Sequence, residues 1–142
     1  MNESIRDNPS PLKLCVWVAL FFCLGEPVLA GSDELIGHRW FWKEVQGHEI
    51  EAKSAYLEFS ASGRTSGSSG CNRMMGEYKI NKARISFKGL ASTRMFCEDI
   101  SGEEERLILK VLEETQSWKL DQNALNFLQA DGKPIGRLEI RP

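Results

Sequence analysis

Thr65-Ser-Gly-Ser-Ser-Gly-Cys-Asn-Arg-Met-Met-Gly-Glu-Tyr78 sets three glycines and a cysteine between two segments that read as strands. Gly67 and Gly70 would weaken an ordinary strand, so they mark a bulge or the close approach of another backbone. Downstream, Ala91-Ser-Thr-Arg-Met-Phe-Cys97 carries the only other cysteine outside the N-terminal leader. The two pieces together read as the place where a small β structure is pinned.

Working outward, Ala55 to Ser60 alternates with Ala55, Leu57 and Phe59 on one face, and Ala61-Ser-Gly63 turns the chain into a return strand over Arg64 to Gly70. Cys71 to Met75 reads as a corner. Gly76 to Ile80 and Arg84 to Lys88 are further strands about the turn Asn81-Lys-Ala83, with Ile85 and Phe87 inward. Upstream, Leu35 to Val45 places Trp40, Trp42 and Glu44 on one face and Phe41, Lys43 and Val45 on the other, before a turn at Gln46 to Glu49. Gly89 to Cys97 has no period and reads as a long loop. Ser101 and Glu104 have capping-box spacing, and Leu107, Ile108, Val111 and Leu112 recur at helical spacing, so a helix should run to about Thr115. Gln116 to Leu120, Ala124 to Gln129 and Pro134 to Ile140 are short strands, the last two joined through an Asp131-Gly132 hairpin signal. The pattern predicts a mainly β fold: a small antiparallel, partly closed barrel of about eight strands, with one α-helix between strands five and six.

The first thirty residues have a different character. Leu14 to Leu24 is an unbroken apolar run of eleven residues, broken by Gly25 and Pro27 and followed by Val28-Leu29-Ala30. As a helix the run would rise about 17 Å, short of a bilayer core. The layout is that of a secretory signal peptide over residues 1–30, cleaved after Ala30, with a mature domain over 31–142 and a periplasmic or secreted destination. Phe22 precedes Cys23 and Leu14 precedes Cys15, so neither cysteine offers the small preceding residue that bacterial lipid attachment needs, and membrane anchoring is not indicated. Cleavage leaves Cys71 and Cys97 in a compartment that permits disulfides. One bridge, worth about 3–4 kcal/mol, is the economical reading; two buried thiols are the alternative.

Composition excludes several classes. The 142 residues are 42% hydrophobic and 27% charged, with a net charge of −2 and mixed signs, which gives no nucleic-acid footprint. Gly67 to Gly70 lacks the Lys-Ser/Thr and helix start of a phosphate loop. Cys71 or Ser69 as a nucleophile would need a base, and the two histidines, His38 and His48, lie far upstream. Cys71, Cys97, His38 and His48 lack the tight ligand pairs of a zinc site, so no metal or other cofactor is expected. The candidate binding residues are Trp40, Trp42, Arg64, Arg73, Met74 and Arg94: the arginines cluster about the cysteine segments, to clamp an anionic group or simply to bond corner carbonyls, and Met74, Met75 and Met95 beside Phe96 line an apolar groove or fill the core.

Gly67-x-x-Gly70-Cys71-Asn72, Gly76-x-Tyr78, Ile85-x-Phe87 and Thr93-x-Met95-x-Cys97, with Glu104 opening the helix, resemble the META domain, the HslJ-like family. Trp40, Trp42 and the Asp131-Gly132 turn also match, so the resemblance spans essentially residues 35–141. It implies a small antiparallel barrel with one helix, in exported or envelope-attached and often stress-associated bacterial proteins, with no established catalytic machinery. Phe96 stands where the family often carries alanine. The resulting expectation is a non-enzymatic envelope module that binds another envelope or secreted protein. The alternative is a lipocalin-like carrier of a small apolar ligand, in a cavity lined by Trp40 or Trp42, Met74 and Phe87. A secreted enzyme would have to rest on Cys71 and the histidines.

Overall fold

Two tryptophans two residues apart begin a strand, and the last strand of the chain returns to pair with it. The computed structural model describes residues 31–98 and 102–141; the expected leader over 1–30 and Ser101 of the expected capping box lie outside them. A 3-10 turn at Ser32–Glu34 leads into β1 (Arg39–Val45), β2 (His48–Glu49), β3 (Tyr56–Phe59), β4 (Arg64–Ser68), β5 (Arg73–Asn81) and β6 (Arg84–Ser92). Helix α1 (Gly102–Glu114) follows, then β7 (Ser117–Asp121), β8 (Ala124–Leu128) and β9 (Pro134–Ile140). Each strand pairs antiparallel with its neighbour, and pairing of β1 with β9 closes the sheet into a ring.

Among the described residues the class is therefore mainly β with one helix, as the sequence implies, but there are nine strands and the helix lies between the sixth and seventh. The extra strand is β2, inside the run read as a turn. Only Gln46 and Gly47 make that turn, both at positive φ, and the ladder continues on either side through Val45↔His48 and Glu44↔Glu49. The eight strands expected from the sequence form the ring, and β2 adds to the end of β1.

Two bulges overturn local expectations. Between Trp42 and Glu44 the register of β1 on β9 shifts, so that Trp42 faces Leu138 and Glu44 faces the next residue, Arg137. Alternation restarts there, and Val45 joins Trp40 and Trp42 in the interior while Glu44 is exposed. A second shift lies opposite Met75 and Glu77, where Gly89 takes φ 59°. The ladder resumes at Ala91 and Ser92, so the first part of the expected loop over Gly89 to Cys97 is strand.

The interior is filled. Trp40, Trp42, Met74 and Phe127 are buried, and Phe87 packs against them, its ring 5.5 Å from that of Phe127, which in turn lies 6.0 Å from Trp42. β6 and β7 share only the pair Arg84↔Ser117, the weakest seam of the ring. Helix α1 lies against β6, β1 and β9 and adds Ile108, Val111 and Leu112 to the core. Burying each of these contributes roughly 1.5–3 kcal/mol. Gly136 of β9 makes room for the helix: a Cβ there would lie 2.8 Å from Val111 Cγ1 and 3.1 Å from the Trp42 ring.

Candidate functional site

The Gly-Cys-Asn and Thr-x-Met-x-Cys segments meet at the corner between β4 and β5. Gly67 makes the approach to it. It faces Leu57 on one side and Met74 on the other, and a Cβ at this position would collide with the Tyr56 carbonyl oxygen and lie 3.2 Å from Leu57 Cα. Only a residue without a side chain lets β3 and β4 come this close.

Beyond β4 the chain makes a tight turn held by its own side chains. The amide of Ser69 donates to the Asn72 carbonyl at 2.9 Å, and the amide of Asn72 donates to Ser69 Oγ at 3.1 Å. This geometry aims the Asn72 carboxamide inward. Its Oδ1 accepts from the Met95 amide at 2.6 Å and from Thr93 Oγ1 at 3.0 Å, while its Nδ2 donates to Glu105 Oε2 at 2.6 Å. Thr93 is itself tied to β5, donating its amide to the Arg73 carbonyl and accepting the Arg73 amide on Oγ1, each at 3.0 Å. One asparagine therefore joins the strand corner, the segment after β6 and the first turn of α1.

Glu105 is the hub on the helix side. Besides Asn72 it accepts from Ser69 Oγ at 2.9 Å and from Ser92 Oγ at 2.8 Å. Partial burial pushes its carboxyl up, but the hydrogen bonds from Asn72, Ser92 and Ser69 outweigh that and hold it below the usual carboxylate range. Three of about four acceptor positions are occupied, so the group serves as a clasp rather than a free base. Ser69, Ser92 and Glu105 were not singled out from sequence as partners of the motif. The signal available was a glutamate in the first helical turn after the second cysteine.

The Cys71–Cys97 disulfide closes the same corner, with Cα atoms 6.0 Å apart, a geometry that supports the bridge over two buried thiols. Around it Ser69, Cys71, Asn72, Met95, Phe96, Cys97, Gly102 and Glu105 line a cleft of about 200 Å³. Phe96 stands at this cleft 90% exposed and Met95 55% exposed; Met75, on β5, is 53% exposed. Two wider clefts lie elsewhere, and in them Arg39 is engaged with Glu58 at 2.7 Å, and Gln46 and Gln129 are both on Glu114 at 3.1 Å.

The remaining sequence candidates fall in three places. Met74, Trp40 and Trp42 are core residues; the Trp40 indole donates to the Leu35 carbonyl at 3.0 Å, and the Trp42 indole nitrogen has no partner among the described residues. Gly76 underlies Leu90, and Tyr78 is buried, its hydroxyl donating to the Ser60 carbonyl at 2.8 Å and its pKa pushed up by that burial. Gly70 follows Ser69 at positive φ, its amide bonded to Ser68 Oγ. Arg73 and Arg94 share the corner through the Arg73–Thr93 pairing, but the expected three-arginine cluster does not form. Antiparallel register puts Arg64 opposite Glu77 at the far end of the β4–β5 ladder, whereas Arg73 faces Ser68.

These elements are those of a known family. The META domain model matches residues 33–141. The chain is 28% identical over 126 residues to the heat shock protein HslJ of Escherichia coli (strain K12), covering 83% of this chain and 89% of that protein. It is similar to a protein solved by NMR at 28% identity, with a TM-score of 0.64 and coverage of 78% of this chain and 95% of that one. A Burkholderia xenovorans protein solved by NMR, 22% identical over 99% of this chain and 97% of its own, shares the fold with a TM-score of 0.62. The chain belongs to the META domain family.

Proposed function

We propose that this protein is an exported, non-enzymatic module that binds another envelope or secreted protein through the corner carrying Met95 and Phe96. The observation that carries the reading is a large aromatic side chain, 90% exposed, between two fastened points: Met95, held by Asn72, and Cys97, held by the bridge to Cys71. Aromatic, methionine and arginine side chains are enriched in interface cores, and an anchor fixed before binding loses little entropy on docking. Arg73 and Arg94 flank it and, among the described residues, form no ion pair. The filled interior supports a binding surface on the outside rather than a ligand carried within. The leader-like first thirty residues support export, and the name of the Escherichia coli relative supports a stress-associated setting.

The test places a photoreactive phenylalanine analogue at position 96, or at the exposed Lys119 as a control, in full-length protein made in its own host. The reading expects a mature chain starting at Gly31 and one defined protein adduct from position 96 alone. Equal adducts from both positions, or none from position 96, would sink it.

A further inference from the structure

We propose that the Cys71–Cys97 bridge is a thiol-exchange site in the folded protein, whose reduction releases the segment bearing Phe96 while the ring stays intact. The argument rests on where the bridge sits relative to everything else that holds the domain together. Both cysteines are half-buried and line an open surface cleft, within reach of an attacking thiolate. Neither belongs to the core cluster, and nor does any residue from Thr93 to Glu98. Closure of the ring by β1 and β9 and plugging by α1 occur without them.

The bonds around the bridge divide the segment in two. Thr93 and Met95 are fastened by Arg73 and Asn72 independently of sulfur. Phe96, Cys97 and Glu98 make no hydrogen bond among the described residues, and among those residues the bridge is what ties them to the body. Reduction therefore leaves Met95 as the anchor before the bridge and frees Phe96, Cys97 and Glu98. Phe96 changes from a fixed anchor into a mobile one.

The co-reactant is a dithiol, of the kind carried by a Cys-x-x-Cys oxidoreductase. Its thiolate attacks one bridge sulfur, giving a mixed disulfide and expelling the other cysteine as a thiolate. The second thiol of the reductant then displaces the first cysteine. Two electrons pass to the bridge, the dithiol becomes a disulfide, and its two protons end on the Cys71 and Cys97 sulfurs.

The test needs no binding partner, so its failure leaves the docking reading standing, and only the use of exchange to control that surface rests on docking. Oxidised full-length protein is incubated with a reduced Cys-x-x-Cys protein, then followed by thiol alkylation, near-ultraviolet circular dichroism and chymotryptic cleavage after Phe96. The expected result is alkylation of Cys71 and Cys97 with an unchanged tryptophan signal and cleavage after Phe96 faster by about tenfold. The double substitution Cys71→Ser/Cys97→Ser should cleave at the fast rate with or without reductant. Should that variant not fold, the reduced natural chain carries the same comparison. Resistance of the bridge until the protein is denatured, collapse of the tryptophan signal on reduction, or unchanged cleavage after Phe96 would each overturn the proposal.

Discussion

Asn72 Nδ2 lies 2.6 Å from Glu105 Oε2, joining the corner after β4 to the first turn of α1 across a sequence separation of 33 residues. The same asparagine holds Met95 and Thr93 through its oxygen, so the side chain serves three segments at once. Replacing it leaves several groups without partners. Asn72→Ala is expected to lower stability by about 2–3 kcal/mol, since a hydrogen bond to a charged group and two others are lost near the interior. Urea unfolding of the variant checks this, and a double-mutant cycle with Glu105→Gln should show the two effects to be non-additive.

The clasp makes stability depend on acid. The Glu105 carboxyl is held below its unfolded value, so its contribution is fully present above the unfolded carboxylate pKa of about 4.3 and is lost as pH falls through the lower folded value. Glu105→Gln should be less stable than the natural chain at neutral pH, and the difference should narrow as pH falls through that window. Unfolding midpoints measured from neutral pH into the acid range decide it; a constant difference would show that the charge of Glu105 is not involved.

Gly67→Ala tests the close strand approach. Its Cβ meets backbone atoms of Tyr56 and Leu57, which cannot swing aside as a flexible side chain could, so a loss of about 3 kcal/mol is expected. Gly102→Ala, where a Cβ meets nothing among the described residues, should change stability by less than about 0.5 kcal/mol. Thermal melts of both variants give the comparison.

The two buried tryptophans should respond differently to the same change. Trp40 gives its indole hydrogen to the Leu35 carbonyl, whereas the Trp42 nitrogen is buried without a partner among the described residues. Trp40→Phe removes a hydrogen bond and leaves the Leu35 carbonyl without its donor; Trp42→Phe removes a donor that was already unsatisfied. Trp40→Phe should therefore be the more costly by about 1 kcal/mol. Chemical denaturation of both variants under one condition settles the order.

Much of the ring was legible because its strands are short and their turns carry strong signals. Ala55, Leu57 and Phe59 alternate into the core as read, and the Asp131-Gly132 turn joins β8 to β9. What escaped was wherever the period reset. The shift at Trp42 moved Val45 inward and Glu44 out, and Gly89 hid the end of β6 inside an apparent loop, because a bulge leaves no mark in a two-residue pattern. In the candidate site, the two cysteine motifs could be read as partners, but Ser69, Ser92 and Glu105 could not. Their roles arise only from proximity across separations of 13 to 36 residues.

The sequence by itself determined the mainly β class, the single helix, the family, and the two cysteine motifs that belong together. Alternation, turn chemistry and motif spacing are local or pairwise properties of the chain. Tertiary structure decided that the ring is filled, that Arg64 lies apart from Arg73, and that one asparagine and one glutamate fasten three segments beside an exposed phenylalanine. Those outcomes depend on the register of β4 on β5 and on where α1 lands against β6, β1 and β9. Register and docking are set by the summed packing of the whole core, which no short stretch of sequence contains.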